Sequence, residues 1–247
     1  MTPHSPRTER PRDQGDCTVK IRILDFETTG MPGDQVRGIC EVGFVDLTSD
    51  WKIGAVRSAL VNPGHPIPPV TRAVHHLSDA DVADGISPTA AAAMLMGGME
   101  PDDVFAAHNC QFEQAFFGGG DHRWICTMKC AQHLFPDAPS FSNQALRYWL
   151  NVDADGLDFE ASMPPHRAGP DALVTAFILA RLAFAASVDE LVRLTTAPVL
   201  LKTTSFGKHR GMKWADLPSD YLRWIADKSD LGADEKHTAR HYLGASR

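Results

Sequence analysis

Apolar positions along this chain change period several times, and each change marks an element. VKIRILDFE (19–27) is an apolar-rich run that ends in acid, and VRGICEVGFVDL (36–47) and KIGAVRSALVNP (52–63) follow, both rich in β-branched residues. Three strands with short connections predict an antiparallel meander, with Ser49, Asp50 and Trp51 as the turn between the second and third. The rigid loop NPGHPIPP leads to a short helix over PVTRAVHHL (69–77). A second helix is predicted over SPTAAAAMLMGGM (87–99), with Ser87 as N-cap and Pro88 at the first helical position. DDVFAAHN (102–109) predicts a strand running into a polar end, and CQFEQAFF (110–117) a helix packed on it and broken by GGGD. RWICT (123–127) is a further strand, MKCAQHLF (128–135) and SNQALRYWL (142–150) are helices, and residues 151–169 form a loop. PDALVTAFILARLAFAA (170–186) is apolar nearly all round, the mark of a buried helix. This order predicts an α/β fold: a mixed β-sheet covered by helices on both faces.

The pattern changes again near Leu200. Residues 200–247 form a short stretch carrying Phe206, Trp214, Tyr221 and Trp224, and they hold nine Lys and Arg against six Asp and Glu. The whole chain carries a formal charge of −7, which argues against a polyanion as partner unless the cations are gathered locally and some of the acids bind metal. Residues 1–18 are polar and Pro-rich with no apolar signal segment, so a disordered arm is expected there. No apolar run approaches the roughly 18–20 residues of a membrane span, and the expected setting is cytoplasmic. The five cysteines do not pair off in number, so a disulfide framework is not expected. Cys126, Cys130 and His133 lack a fourth partner for zinc and read as buried thiols beside a helix.

Candidate chemistry lies in the acids. Asp25 and Glu27 stand two apart on a strand, so both carboxylates project from one face. Such a pair is tolerable only if a cation or a donor compensates it, although D-x-E is common enough to be a weak sign alone. Glu113 ends HNCQFE. Asp171 follows Pro170 at a helix start, where the helix dipole favours an acid for purely structural reasons. His166 lies in a Pro/Gly-rich loop, where an ordinary exposed histidine is also unremarkable. Together, four acids and one histidine form the set that two-metal phosphoryl transfer needs: oxygen ligands for hard cations and a base titrating near neutrality.

DFETTG, AHNCQFE and HRAGPDA resemble, in order, the three motifs of the DEDDh superfamily of 3′–5′ exonucleases. AVHHLSDADV, RWICTMKCAQHLFP and the C-terminal FGKHRGMKWADLP…YLRWI are most similar to the exodeoxyribonuclease X group within it. The resemblance implies an RNase H-like exonuclease fold over residues 19–196, with a small C-terminal module over 200–247. It implies two divalent ions, Mg²⁺ or Mn²⁺, held by Asp25, Glu27, Glu113 and Asp171, with Asp25 bridging them and His166 as general base. It sets Thr28, Thr29 and Met31 against the terminal nucleotide, and assigns His75, Asn109 and Phe112 to the substrate side of the second motif and neighbouring helix. One position departs from the pattern: Glu113 stands where the family has Asp.

The expected partner is the 3′ end of a nucleic acid, with single-stranded DNA favoured by the C-terminal resemblance. No membrane partner is expected, and protein partners are not indicated. RNA as substrate is the alternative, since nothing in the motifs reads a 2′-hydroxyl. A second alternative is a catalytically weakened nucleic-acid-binding module, left open by Glu113. The C-terminal aromatics read equally as a mini-core or as a platform on which bases stack while Lys208, Arg210 and Lys213 meet phosphates.

Overall fold

Ile21–Thr28 (β1) becomes the central strand because its apolar residues are distributed to both faces and both faces are covered. A computed structural model of the chain describes residues 19–48 and 50–245. The polar arm expected over 1–18, and Ser49 of the expected turn, lie outside those residues. Around β1 stand β2 (Ile39–Leu47), β3 (Arg57–Leu60), β4 (Val104–Ala107) and β5 (Arg123–Cys126). They form one five-stranded sheet in the order β3-β2-β1-β4-β5. β2 pairs antiparallel with β1 and β3, whereas β4 runs parallel to β1 and β5. The meander and the mixed sheet expected from the sequence are therefore both present.

Helices cover both faces. The helices are α1 (Pro69–His75), α2 (Asp79–Val82), α3 (Pro88–Met96), α4 (Gln111–Phe117), α5 (Thr127–Leu134), α6 (Asn143–Trp149), α7 (Ala168–Leu182) and α8 (Val188–Thr196). Ile21, Ile23, Val45 and Leu47 face residues of α5, α6, α7 and α8 in the larger core. Leu24, Phe26, Val42 and Phe44 pack on the other side with Ala91 and Leu95 of α3. α7 is buried on nearly every side, as its unbroken apolar sequence requires.

Several boundaries differ from the sequence reading for local reasons. β3 is shorter than the run 52–63, because residues before Arg57 make only an isolated bridge, Leu47 to Ile53. α1 stops at His75, where His76 turns left-handed (φ 62°) and its N–H bonds back to the Arg72 carbonyl. α2 was not expected; it is a single turn set by a capping box in which Ser78 and Asp81 satisfy each other's backbone N–H. Thr127 belongs to α5 rather than to the preceding strand, and α7 begins at Ala168, two residues before Pro170.

The chain divides after Thr195 into two compact units. The second contains α9 (Ser219–Lys228) and α10 (Ala233–Ala245), packed around the fully buried Trp214 with Leu217, Leu222 and Ile225.

Candidate active site

Strand register gathers the acids. Asp25 lies opposite Gly43 and Glu27 opposite Glu41 across the β1–β2 pair, so all four positions share one face. Gly43 is needed there. A Cβ at this position would sit 2.2 Å from the Ala168 carbonyl carbon, so only glycine lets the first turn of α7 lie directly on the sheet. That approach delivers Asp171, in the first turn of α7, to the strand acids. Carboxylate oxygens of Asp25, Glu27 and Asp171 all lie within 4.8 Å of one another.

Like charges this close, in a buried setting, resist ionisation. Burial pushes the Asp25 carboxyl well above its ordinary value, and the carboxylates of Asp171, Glu113, Glu27 and Glu41 push it further. Glu27 is raised to about 8, first by burial and then by Asp171 and Glu41, with Arg167 opposing. Asp171 is raised by burial, against donors from His166 and Gln144. Glu113 projects from α4 outside the three-carboxylate group but within electrostatic reach of Asp25 and Glu27. Its carboxyl is raised to about 8, chiefly by burial, and its Oε2 is buried with no hydrogen-bond partner. An all-oxygen cluster carrying more negative charge than its surroundings can neutralise, with one orphaned oxygen, fits hard divalent cations.

His166 sits beside this cluster. Its side chain is exposed, its backbone is left-handed (φ 61°), and its N–H donates to Oδ2 of Asp171 at 2.7 Å. The other oxygen of Asp171 accepts from Gln144 Nε2 at 3.0 Å. Next in sequence, Arg167 grips Glu41 with Nε at 2.8 Å and Nη2 at 2.7 Å, and the Ala168 N–H donates to the same carboxylate at 3.1 Å. This clamp ties the His166 loop to β2. Glu41, Arg167 and Gln144 were not singled out in the sequence. A lone acid inside the apolar run ICEVGFV was the available sign for Glu41, since a buried charge demands a partner.

The remaining candidates are distributed as follows. Thr28 and Thr29 are buried at the end of β1, with Thr28 Oγ1 donating to the Gly30 carbonyl and Thr29 Oγ1 within 2.8 Å of His65 Nε2. Met31 is 63% exposed just beyond them. Asn109 is exposed with φ 74°, and Phe112 is half-buried against Phe116. His75 is placed differently from an open substrate contact. It is buried, its Nδ1 accepts from the Leu77 N–H at 3.0 Å, and its Nε2 lies 3.7 Å from Cys40 Sγ. Burial lowers its pKa, and its place is in the core against Cys40 of β2. His108 is likewise scaffold: its nitrogens meet Thr127 Oγ1 and the Phe141 carbonyl, and burial holds it neutral, down to about 4. Lys208, Arg210 and Lys213 are exposed on the second unit.

An α/β sheet whose central strand and first-turn helix acid converge on a cation-ready cluster defines a class of metal-assisted hydrolase, and comparison with known proteins makes the class specific. The exonuclease family model matches residues 23–179, and the chain belongs to that family. Exodeoxyribonuclease 10 of Escherichia coli K12 is 33% identical over 229 residues, covering 90% of this chain and 98% of that protein. The solved structure of exonuclease X in complex with 5′ overhanging duplex DNA is 32% identical, with a TM-score of 0.58 over 71% of this chain and 99% of that one. E. coli exonuclease I bound to single-stranded DNA shares the fold at 15% identity and a TM-score of 0.53, over 71% of this chain and 42% of that one. The chain is thus an exonuclease, a phosphodiester hydrolase, on the RNase H-like fold. Among the described residues, no helix is long and apolar enough to cross a membrane.

Proposed function

We propose that this chain removes nucleotides from the 3′ end of DNA, favouring single-stranded ends, with two divalent cations, Mg²⁺ or Mn²⁺, held by Asp25, Glu27, Glu113 and Asp171. The observation that carries the reading is the meeting of Asp25, Glu27 and Asp171 within 4.8 Å, from two elements far apart in sequence. When bound, the cations would offset charge on the scissile phosphate and on the departing oxygen. His166 takes the proton from the attacking water: its ring is exposed, while its main chain is fixed to Asp171. Arg167 and Glu41 hold that loop in place. Thr28, Thr29 and Met31 lie against the terminal nucleotide, and Asn109 and Phe112 border it from the start of α4.

DNA is preferred because the 33%-identical relative is an exodeoxyribonuclease by name. The 32%-identical structure holds a duplex with a 5′ overhang, so a recessed 3′ terminus also belongs in the substrate range. Residues 19–196 carry the chemistry in this reading, and 200–247 a separate role. The free buried thiols Cys40, Cys110, Cys126 and Cys130 suit a reducing cytoplasm. The test is incubation of the chain with 5′-labelled single-stranded DNA, a 5′-overhang duplex and RNA, each with Mg²⁺, Mn²⁺ or EDTA. The expected result is a ladder shortening from the 3′ end of both DNAs with either cation and none with EDTA. Faster cleavage of RNA, or no cleavage under any condition, overturns the assignment.

A further inference from the structure

The second unit separates its aromatic residues into two populations. Trp214 is fully buried, and Phe206 packs against it with ring centroids 6.1 Å apart. These two make the mini-core. Tyr221 and Trp224 do something else. They stand three residues apart on α9, hence on one stripe of the helix, with rings stacked at 5.5 Å and 21°. Trp224 is 44% exposed although Leu222, Ile225 and Ala226 of the same helix are buried. A tryptophan left open beside a filled core is not needed to close that core.

A lysine and a histidine ring lie against the Tyr221 side of the stack. Lys208 Nζ lies 5.5 Å from the centre of the Tyr221 ring, and the His209 ring lies 4.6 Å from it. The loop that carries them rests against this tyrosine because Gly207 adopts φ 62°; a Cβ there would come within 2.7 Å of the Tyr221 hydroxyl. The same loop continues through the exposed Arg210 and Lys213. α9 itself is balanced, with Asp220 and Asp227 against Arg223 and Lys228, so the positive edge comes from the loop.

We infer that Tyr221 and Trp224 form a base-stacking ledge for single-stranded nucleic acid, with the 207–213 loop as its phosphate-binding edge. Every base has a π-face and every linkage a charge, so an open indole next to a cationic loop fits a single strand without regard to sequence. The inference deepens the exonuclease reading by giving the strand a second holding point on the chain.

The test measures affinity of the full chain for a fluorescent oligothymidylate in EDTA, across a salt series, so that binding is read without cleavage. Trp224→Ala should weaken binding roughly tenfold, the size of one lost base stack, and Trp224→Phe should recover most of it. The triple variant Lys208→Ala, Arg210→Ala, Lys213→Ala should flatten the salt slope by about 2, at ~0.7 per phosphate contact for single strands. An unchanged melting temperature establishes that each variant is folded, since all four side chains are exposed. If folded Trp224→Ala binds as tightly as the parent, or the triple variant keeps the full salt slope, the ledge is wrong while the exonuclease reading stands. If the parent binds through Trp224 but cleaves no strand with any divalent cation, the ledge stands and the exonuclease reading fails.

Discussion

The main-chain N–H of His166 donates to Oδ2 of Asp171 at 2.7 Å, so the proposed base and the helix acid of the carboxylate cluster are joined through backbone rather than through the imidazole. The ring is left exposed and takes little part in packing. His166→Ala should therefore fold normally, keep the Asp171 contact and bind divalent cations as the parent does. Single-turnover cleavage should fall by about 10²–10⁴-fold, the usual cost of a lost general base. A single-turnover rate equal to the parent's would remove His166 from its role.

Arg167 makes a different prediction. It meets Glu41 with two nitrogens, and Glu41 is buried directly across from Glu27. Arg167→Ala leaves that carboxylate without its cation beside a second one. The Arg167 side chain is about a third exposed, 34%, so water will repay part of the loss; a cost of about 1–3 kcal/mol in urea denaturation is expected. Glu41→Gln in the same chain should recover stability, because it removes the orphaned charge. Arg167 also lowers the Glu27 carboxyl, so its removal raises that group further. The acid limb of the pH–rate profile should then move to higher pH. A double variant no more stable than Arg167→Ala alone would show that charge pairing is not the cause.

How much of this was readable in advance depends on the range of the interaction. β1 and α7 were legible because burial on all sides leaves an unbroken apolar run, and Asp25, Glu27 and Asp171 punctuate those runs. The Arg167–Glu41 clamp was not, because its partners are separated by 126 positions, and Glu41, although it interrupts the run ICEVGFV, gives no local sign of which residue it meets. The β3 boundary failed for a local reason: β-branched residues continue through Ile53 and Val56, but apart from the single Leu47–Ile53 bridge, continuous pairing with β2 does not begin until Arg57. α2 was invisible to periodicity, since four residues make barely one turn, yet Ser78 and Asp81 spelled its cap. Composition placed Trp214 and Trp224 in one aromatic cluster; only the fold separates the core residue from the exposed one.

The acid cluster also predicts how stability follows pH without metal. Glu27 and Glu113 are raised from 4.5 to about 8. Between those values the folded chain binds more protons than the unfolded one, so stability falls as pH rises. The contribution of these groups is fully present below about pH 4.5 and lost as pH passes about 8. Cations that replace the protons should abolish the loss. Melting temperature in excess Mn²⁺ minus that in EDTA should therefore widen from pH 6 to pH 8, in the order of about a unit or more of linked protons. Calorimetry in buffers of different ionisation enthalpy should register proton release on Mn²⁺ binding at neutral pH. Binding without proton release would mean the carboxylates are already ionised and the cluster is less strained than its burial implies.

Glu113 carries the last prediction, because it is both the departure from the family pattern and the acid with an unsatisfied buried oxygen. Its carboxylate reaches one methylene further from α4 than the family's Asp would. The charge is kept, so two cations should still bind, with one of them in poorer geometry. Mg²⁺ demands near-ideal octahedral coordination and gives up water reluctantly, whereas Mn²⁺ is held somewhat more tightly by the same oxygen ligands. Cleavage should accordingly be faster with Mn²⁺ than with Mg²⁺. Glu113→Asp returns the shorter carboxylate and should preserve or raise the Mg²⁺-supported rate. Glu113→Ala removes a proposed ligand and should slow turnover with both cations, although deleting a buried acid with one unpartnered oxygen should also stabilise the metal-free fold at neutral pH, which thermal denaturation in EDTA will show. The decisive comparison is the cleavage rate of the three proteins at saturating concentrations of each cation. Full-speed cleavage by Glu113→Ala would take Glu113 out of the metal site. Loss of activity in Glu113→Asp would mean that the surrounding residues have adjusted to the longer side chain, and that the glutamate is a fitted ligand in this enzyme and no compromise.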